Sequence, residues 1–309
     1  MDAVDSSRRQ IGLVGYGEVG RIFAEDVRAQ GIAVHAHDLK LAAPASAAAL
    51  REHAAAHGVQ LQPSHAALAA ASDVVISAVT ASQTFAVADA CAATIQRGAF
   101  FLDVNSASPG AKRRAAERIN AAGGCYVEGA VMTSVPPYRI KVPLLLGGPD
   151  AHALMPLINA IGFAAKVTSD ELGIASATKL CRSVMIKGLE AMVIESLTTA
   201  RFHGVEDAVI ASLRETFPGI DWERQAAYFF QRVIAHGRRR SEEMREAAQT
   251  VREAGLAPWS ADGTAERQAW VADQADAGVF GTRDDERFAS SPDWRVEADR
   301  ILGRRSASN

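Results

Sequence analysis

The sequence predicts an α/β fold in which a doubly wound parallel sheet is followed by an all-α C-terminal domain. Short apolar runs alternate with segments of helical periodicity from residue 10 to residue 168, a pattern typical of parallel sheets with crossover helices. From residue 169 onward the apolar positions recur only at helical spacing. The chain of 309 residues is long enough for two domains. We therefore predict one domain over residues 1–168 and a second over residues 169–309.

The composition narrows the classes of partner and the cellular compartment. Hydrophobic residues make up 48% and charged residues 22% of the chain, as in ordinary globular proteins. A net charge of −3 at pH 7 gives no reason to expect nucleic acid or an anionic membrane as a partner. The three cysteines, Cys91, Cys125 and Cys181, have no disulfide or metal-ligand spacing. No apolar run is long enough to span a bilayer. We therefore expect a protein of the reducing cytoplasm without a metal site.

Residues 10–38 form the first predicted unit, which consists of a strand, a turn, a helix and a second strand. The apolar run that begins at Ile11 stops at Gly15, and Gly15, Gly17 and Gly20 have the G-x-G-x-x-G spacing. The first glycine permits the tight turn, and the second lets a pyrophosphate approach the backbone closely. The third permits close packing of the helix on the strand. A helix N-terminus also offers unpaired N–H groups to that pyrophosphate. The unit therefore predicts a Rossmann-type domain that binds a dinucleotide.

Asp38 ends the second strand of this unit, 23 residues after Gly15. A carboxylate at this place accepts hydrogen bonds from the adenosine ribose hydroxyls. It would repel a 2′-phosphate, and nearby Lys40 is a flexible point charge rather than an arginine fork. We therefore predict NAD as the cofactor in preference to NADP. The predicted cofactor-binding residues of the unit are Gly15, Tyr16, Gly17, Glu18, Val19, Gly20 and Asp38.

The following segments continue the alternation. An alanine-rich stretch over residues 41–71 predicts helices around a short strand at 59–61. Ligands bind beyond the C-terminal ends of parallel strands, so the loops after two later strands add Val79, Thr80 and Asn105 to the cofactor-binding residues. Further strands are predicted at 73–79, 99–104, 125–132, 142–146 and 164–168, with helices at 83–96, 110–121 and 151–161. Helices of the second domain are predicted at 171–203, 205–217, 221–255, 264–277 and 292–302.

A lysine in the first part of the helix predicted over residues 171–203 is the candidate catalytic residue. On a helix with about 100° per residue, Lys179, Ser183 and Glu190 project within about 40° of one another. Such a lysine is a candidate proton donor and acceptor. Its ordinary pKa of about 10.4 would have to be lowered by burial for it to act as a base at neutral pH. The alternative is that Lys179 is a surface charge without a catalytic role.

The segment HGRRRSEEMRE offers a second set of candidate substrate contacts. His236 and Arg240 share one helix face, so they are candidates for contacts to an anionic substrate. The alternative is a solvated, ion-paired face, because three consecutive arginines lie beside several glutamates.

In combination, these motifs resemble the β-hydroxyacid dehydrogenase superfamily, whose members include 3-hydroxyisobutyrate and 6-phosphogluconate dehydrogenases. The motifs are GYGEVG, Asp38, a strand ending in NSASP, and G-x-x-x-x-x-K opening a long helix. The segments DVNSASPGAKRRAAERI, EGAVMTSVPP and HGRRRSEEMREAA are similar to a bacterial phosphogluconate-dehydrogenase-like branch with its own helical C-terminal domain. The resemblance implies that Lys179 takes the place of the family's catalytic lysine, which removes the hydroxyl proton as hydride passes to the nicotinamide.

The chain also departs from the family pattern. Members usually have asparagine three or four residues after the lysine, where this chain has Arg182 and Ser183, and 6-phosphogluconate dehydrogenase has glutamate at the position of Ile186. The substrate-carboxylate loop is typically serine followed by two glycines, whereas Met132, Thr133 and Ser134 stand here. These departures argue against true 6-phosphogluconate dehydrogenase activity. The predicted substrate contacts are Ser106, Met132, Thr133, Ser183, His236 and Arg240.

The sequence therefore predicts an oxidoreductase that transfers a hydride between a small hydroxy acid and a nicotinamide dinucleotide. Two alternatives remain. The first is an imine or ketone reductase of the same architecture, although imine reductases usually lack the lysine. The second is a non-catalytic NAD(H)-binding sensor or scaffold. The identity of the substrate, the physiological direction and any coupled decarboxylation stay open. A homodimer formed mainly by residues 170–309 is also predicted, from aromatic residues expected to be exposed: Trp222, Tyr228, Phe229, Phe230, Trp259 and Trp270.

Overall fold

The computed structural model describes residues 9–303 of the chain. These residues form two compact units that divide within the helix Ile174–His203, the first ending at Leu180 and the second beginning at Cys181. The predicted boundary at residues 168 and 169 stays a prediction. None of the helices within residues 9–303 is both long and apolar enough to cross a lipid bilayer.

The first unit is built on an eight-stranded sheet of order β3-β2-β1-β4-β5-β6-β7-β8. The first six strands pair in parallel throughout, which confirms the predicted α/β class with its parallel-dominated sheet. The strands are β1 Gln10–Val14, β2 Ala33–His37, β3 Gln60–Leu61, β4 Val74–Ser77, β5 Phe100–Asp103, β6 Cys125–Val131, β7 Pro143–Gly147 and β8 Ala164–Ser169.

The pairing of β6 with β7 departs from the predicted parallel arrangement, because these two strands are antiparallel. Only residues 132–142 connect them, and the connection contains no more than the short 3-10 turn Arg139–Lys141. A parallel pair needs a crossover of a dozen or more residues, usually with a helix. The longer connection from β7 to β8 does contain a helix, and those two strands are parallel.

Helices pack on this sheet and bury its apolar side chains in two clusters. One helix is shorter than predicted: the helix expected over residues 83–96 ends at Ala92. Beyond that end, Thr94 Oγ1 donates to the carbonyl of Ala66 at 2.6 Å, and Gln96 Nε2 donates to the carbonyl of Ala70 at 2.7 Å. These two bonds tie residues 94–96 to the segment His65–Ala70 beyond the helix end. The helices are α1 Glu18–Arg28, α2 Pro44–His57, α3 His65–Ala70, α4 Thr84–Ala92, α5 Pro109–Ala121, α6 Ala151–Ala160 and the long α7 Ile174–His203.

All regular secondary structure in the described part of the second unit is helical, as predicted, and the unit has its own apolar core. Gly237 lies in the middle of α9 (Trp222–Glu253), where a Cβ atom would come within 2.7 Å of the carbonyl oxygen of Gln268 in α10 (Trp259–Asp276). This glycine therefore permits close packing of α9 and α10. The predicted start of α10 at residue 264 is wrong by five residues, because the helix already begins at Trp259. Besides the C-terminal part of α7, the helices are α8 Glu206–Thr216, α9 Trp222–Glu253, α10 Trp259–Asp276 and α11 Trp294–Ile301.

The six aromatic residues of this unit that were predicted to be exposed divide into two groups. Trp222, Phe229 and Phe230 are at most 4% exposed and belong to the core, so their predicted exposure is wrong. They lie on the face of α9 that packs inward, which the aromatic content alone does not reveal. The other three are exposed as predicted, namely Tyr228 at 48%, Trp259 at 85% and Trp270 at 37%.

Candidate active site

The loop between β1 and α1 has the geometry that its glycines require. Gly15 has a φ angle of +88°, which glycine adopts without strain, and its N–H donates to the His37 carbonyl at 2.9 Å. A Cβ atom on Gly20 would lie 2.0 Å from the Gly15 carbonyl oxygen. Both glycines are therefore needed for the turn and for the packing of α1 on β1.

The N-terminus of α1 fits the pyrophosphate of a dinucleotide. Gly17 is its N-cap residue, and no side chain of the described residues caps this end of the helix. A Cβ atom on Gly17 would have no atom within 4 Å, so the space beside the loop is open. The N–H groups of Glu18, Val19 and Gly20 lie in the first turn, where helices leave donors without intrahelical partners. An anion placed there also meets the positive end of the helix dipole.

Asp38 joins the end of β2 to this glycine loop. Its Oδ2 accepts from the Tyr16 N–H at 2.9 Å, and its Oδ1 accepts from the Lys40 N–H at 2.8 Å. Each carboxylate oxygen has a second lone pair, so Asp38 retains acceptor capacity for ribose hydroxyls. The carboxylate is half-buried and stands at the C-terminal edge of the sheet, as the sequence predicted.

The side chain of Tyr16 is directed into the first unit. It is fully buried, its hydroxyl lies 2.8 Å from His53 Nδ1, and its burial raises its pKa to about 12. The other ring nitrogen of His53 lies 2.9 Å from Glu25 Oε1. A contribution of Tyr16 to cofactor binding therefore has to come from its main chain.

The loops after β4 and β5 are held together by Asn105. Its Oδ1 accepts from the Val79 N–H at 2.7 Å, and its Nδ2 donates to Ser77 Oγ at 3.0 Å. Asn105 is only 4% exposed, while Val79 is half-buried and Thr80 is exposed. The structure thus brings Val79 and Asn105 together, and the side-chain amide of Asn105 joins the two loops. Cofactor contacts by these residues stay a prediction.

A buried ion pair beneath the β5 loop was missed by the sequence analysis. Lys112 of α5 and Asp103 of β5 are both fully buried, and Lys112 Nζ lies 2.8 Å from Asp103 Oδ1. The same carboxylate accepts from the Asn105 N–H at 2.9 Å and from the Tyr126 hydroxyl at 2.7 Å. Burial, together with the Asp103 carboxylate, holds the pKa of Tyr126 well above its ordinary value. The only sequence signal for the pair was an aspartate at a strand end followed by a basic residue in the next helix.

Lys179 lies beside Ser106 in the structure. Its Nζ donates to Ser106 Oγ at 2.7 Å, and both residues are half-buried. Ser106 belongs to the loop after β5, at the sheet edge where the glycine loop and Asp38 also stand, because β1, β2, β4 and β5 are mutually parallel. Lys179 is therefore not a lone surface charge, and its catalytic role stays a prediction.

The start of α7 is anchored to the sheet by Glu128 of β6, which the sequence analysis did not single out. Its Oε1 accepts from the Ala175 N–H at 2.8 Å, and its Oε2 accepts from Ser176 Oγ at 2.9 Å. Glu128 is fully buried. Lys179 follows one helical turn after these two contacts.

The remaining predicted substrate residues of the first unit follow β6. The Met132 N–H donates to the Pro143 carbonyl at 3.0 Å, so Met132 extends the strand pairing by one residue. Met132 is half-buried and Thr133 is exposed. Because β6 is parallel to β5, both residues lie at the same sheet edge as Ser106. Their contact with a substrate stays a prediction.

Three predicted substrate residues belong to the helical unit. Ser183 is buried on α7 and His236 is exposed on α9. Arg240 is 5% exposed and is ion-paired with Glu190, to which Gln268 Nε2 also donates at 3.3 Å. The alternative of a solvated, ion-paired face therefore does not describe Arg240, whose charge is balanced inside the unit. Substrate binding by these residues stays a prediction.

One group among residues 9–303 has the spacing of a metal site, namely Glu25, His53 and His57. Both ring nitrogens of His53 already have protein partners. Arg139 also pairs with Glu25 Oε2 at 2.7 Å. A metal ion would have to displace these bonds, so the group carries no metal assignment.

Comparison with known proteins defines the family. Residues 10–162 match the NAD binding domain of 6-phosphogluconate dehydrogenase, and residues 200–271 match a domain of unknown function, DUF1932. A conserved hypothetical protein from Sinorhizobium meliloti 1021, with a known crystal structure, is 34% identical and has a TM-score of 0.77, covering 99% of this chain and 100% of that chain. Mitochondrial 3-hydroxyisobutyrate dehydrogenase from Drosophila melanogaster is 25% identical over 224 residues, covering 69% of this chain and 65% of that protein.

The chain belongs to the β-hydroxyacid dehydrogenase superfamily. The resemblance inferred from the glycine loop, Asp38 and the lysine helix is thus confirmed. The superfamily consists of NAD(P)-dependent oxidoreductases, and the match to an NAD binding domain supports a nicotinamide dinucleotide as the cofactor.

Two further solved structures share the fold. The 3-hydroxyisobutyrate dehydrogenase of Mycobacterium tuberculosis, solved with L-serine, is 19% identical with a TM-score of 0.69, covering 87% of this chain and 95% of that chain. A reductive aminase from Aspergillus terreus, solved with NADPH, cyclohexanone and allyl amine, is also 19% identical, with a TM-score of 0.53 and coverage of 94% and 98%. At this identity the likeness shows the fold alone.

Proposed function

We propose that the protein oxidises a small hydroxy acid with NAD, and catalyses the reverse reduction, with Lys179 as the general acid and base. The observation that carries this proposal is the hydrogen bond of 2.7 Å between Lys179 Nζ and Ser106 Oγ. It holds an amine at the sheet edge where the predicted cofactor-binding residues lie. Oxidation of a hydroxyl group by hydride transfer requires a base that takes the hydroxyl proton, and Lys179 is placed to do so.

The residues of the first unit fit the cofactor. The open, uncapped N-terminus of α1 would hold the pyrophosphate, and the carboxylate of Asp38 would accept hydrogen bonds from the adenosine ribose. The loop that carries Val79 and Thr80, which Asn105 fixes, would border the rest of the dinucleotide. When bound, the nicotinamide supplies the acceptor for the hydride.

The chain's own part in the chemistry is the transfer of one proton. Ser106 Oγ accepts from Lys179 and so fixes the direction of the amine. In the oxidation, the neutral amine takes the hydroxyl proton of the substrate. In the reduction, the ammonium returns a proton to the carbonyl oxygen. Positioned proton transfer of this kind contributes about 10²–10⁴ in rate.

Reduction of an imine or ketone is the second candidate function. It is supported by the shared fold of the reductive aminase, which was solved with a ketone and an amine. A lysine fixed at the reacting edge favours the hydroxy acid, because hydroxyl oxidation needs a base at this point. A non-catalytic NAD(H) sensor is the third candidate, and turnover separates it from the other two.

A substrate screen tests the proposal. The protein, saturated with NAD, is mixed with a panel of short 2-hydroxy and 3-hydroxy acids, first by thermal shift and then by NADH fluorescence. At least one acid is expected to give continuous NADH formation. If acids of the panel raise the melting temperature of the protein but none of them gives NADH, the result would favour the non-catalytic sensor.

Cofactor choice gives a separate prediction. We expect kcat/KM to be at least about tenfold higher with NAD than with NADP, because a 2′-phosphate beside Asp38 places like charges together. Asp38→Ala should narrow this ratio. Steady-state kinetics with both dinucleotides measure it, and Glu52→Ala, which removes an exposed acid of α2, serves as the control. A wild-type preference for NADP would refute the assignment.

A homodimer formed mainly by residues 170–309 is also proposed. The helical unit exposes large apolar side chains, with Met185 74% and Met192 63% exposed on α7 and Trp259 85% exposed on α10. Such side chains are enriched at interfaces. We expect light scattering to give the dimer mass at micromolar concentration and Met192→Glu to reduce that mass, while Lys166→Glu leaves it unchanged. A wild-type monomer would contradict the proposal.

We further infer that the protein acts in the cytoplasm. The three cysteines are free thiols in the structure, with Cys91 buried and Cys181 exposed. Free thiols of this kind are typical of reducing compartments. Fractionation of cells that express the protein tests this location.

A further inference from the structure

The first turn of α7 is capped from a distant strand. Gly173 accepts the first helical hydrogen bond, from the Ala177 N–H at 2.9 Å, and therefore occupies the N-cap position. A glycine has no side chain with which to cap the free N–H groups of a helix. The missing acceptor comes from Glu128 of β6, whose two oxygens receive the Ala175 N–H at 2.8 Å and the Ser176 hydroxyl at 2.9 Å.

The packing of the sheet makes room for this carboxylate. Glu128 is fully buried, and its direct partner on β7 is Gly147. A Cβ atom on Gly147 would lie 2.5 Å from Glu128 Oε1, so a larger residue there would displace the carboxylate. A buried carboxylate is costly unless it is hydrogen-bonded. The N-terminus of α7 supplies these donors and the favourable end of the helix dipole.

The register of the sheet places two buried carboxylates side by side. The direct partner of Glu128 on β5 is Asp103. Asp103 fixes the loop after β5 by accepting from the Asn105 N–H at 2.9 Å, next to Ser106. Glu128 fixes the start of α7, one turn before Lys179. The two carboxylates thus hold the two partners of the hydrogen bond between Lys179 and Ser106.

We propose that Glu128 is a positioning residue for Lys179, acting through the first turn of α7. This proposal rests on the proposed function, because it assigns Glu128 to the placement of the proposed general base. A purely structural cap would stabilise the fold without acting through Lys179. The two roles differ in whether the effect of losing Glu128 depends on Lys179.

The first test is chemical labelling of Lys179, which needs no substrate. The full-length protein is treated with an amine-acetylating reagent at fixed pH, and the labelling rate of each lysine is followed by peptide mass spectrometry. In Glu128→Ala, Lys179 should react about threefold to tenfold faster. This factor corresponds to the loss of the one hydrogen bond that Lys179 donates to Ser106. The rate at exposed Lys166 should stay unchanged. An unchanged rate at Lys179 would overturn the proposal.

Two milder variants keep this test decisive. Glu128→Gln retains the size and one acceptor of the side chain, so its labelling rate at Lys179 should stay within about threefold of wild type. Ser176→Ala removes one of the two bonds to Glu128 and should raise the rate by about twofold or more. If Glu128→Ala does not fold, Ser176→Ala carries the test, and an unchanged rate in that variant overturns the proposal.

The second test is a double-mutant cycle in turnover. Glu128→Ala should lower kcat by about tenfold to a hundredfold, as expected for a misplaced catalytic group. In a Lys179→Met background the same change should lower the residual kcat by less than about twofold. Equal losses in both backgrounds would show a role that does not pass through Lys179. If no hydroxy acid is turned over, the proposed function fails while the labelling result still decides the placement of Lys179.

Discussion

Replacing Lys179 by methionine is expected to lower kcat by at least about a hundredfold while NADH binding stays unchanged. Methionine keeps most of the apolar stem, so the packing of α7 should survive. Only the amine that bonds to Ser106 at 2.7 Å is removed. Turnover of the hydroxy acid found in the screen measures the effect, and NADH fluorescence titration measures cofactor binding.

The matched control for this variant is Lys166→Met. Lys166 is an exposed lysine of β8 in the same unit, and its loss should change kcat by less than about twofold, as for most surface substitutions. Lys187, eight residues after Lys179, is a poorer control because it is buried and ion-paired with Glu243. Burial lowers its pKa, and Glu243 opposes that shift. A fully active Lys179→Met, or equal losses in both variants, would remove Lys179 from the mechanism.

Replacing Lys112 by methionine is expected to lower the free energy of unfolding by about 3–5 kcal/mol. The pair of Lys112 with Asp103 is fully buried on both sides, so the variant leaves an uncompensated carboxylate inside the first unit. Urea denaturation followed by circular dichroism measures the change. The variant should also loosen the β5 loop, since Asp103 holds the Asn105 N–H.

Arg118→Met is the control from the same helix. Arg118 pairs with Asp89 at the surface, with side chains 52% and 49% exposed, so its loss should cost less than about 1 kcal/mol. If Lys112→Met lowered the free energy of unfolding by no more than Arg118→Met does, the buried pair would not be a main support of the β5 loop.

The parts of the site that the sequence predicts are those set by local geometry. Gly15 and Gly20 are identifiable because their backbone and packing demands are met within one short unit. Asp38 is identifiable because a strand end fixes its place. Lys179 and Ser106 were each named from the sequence, but their contact was not predicted, because it joins a helix and a loop that are 73 residues apart.

The parts that the sequence does not reveal depend on tertiary burial. Glu128 and Asp103 are charged residues inside strands, and their roles follow from which side chains the sheet places opposite them. Lys112 lies in a basic helix segment that is typical of a solvated face. Arg240 was weighed as part of such a face, yet it is buried against Glu190. The alternation of apolar and charged residues does not distinguish a buried ion pair from an exposed one, because both consist of the same residue types.

The most direct test of the central claim is the rate of NADH formation from hydroxy acids, set beside the rate of NADH or NADPH consumption with mixtures of ketones and amines. Wild-type protein and Lys179→Met are assayed in parallel in both directions. The account predicts that at least one small hydroxy acid is oxidised by the wild-type protein and that this activity is lost in Lys179→Met. Turnover confined to ketone and amine mixtures, or hydroxy-acid oxidation that survives in Lys179→Met, would contradict it.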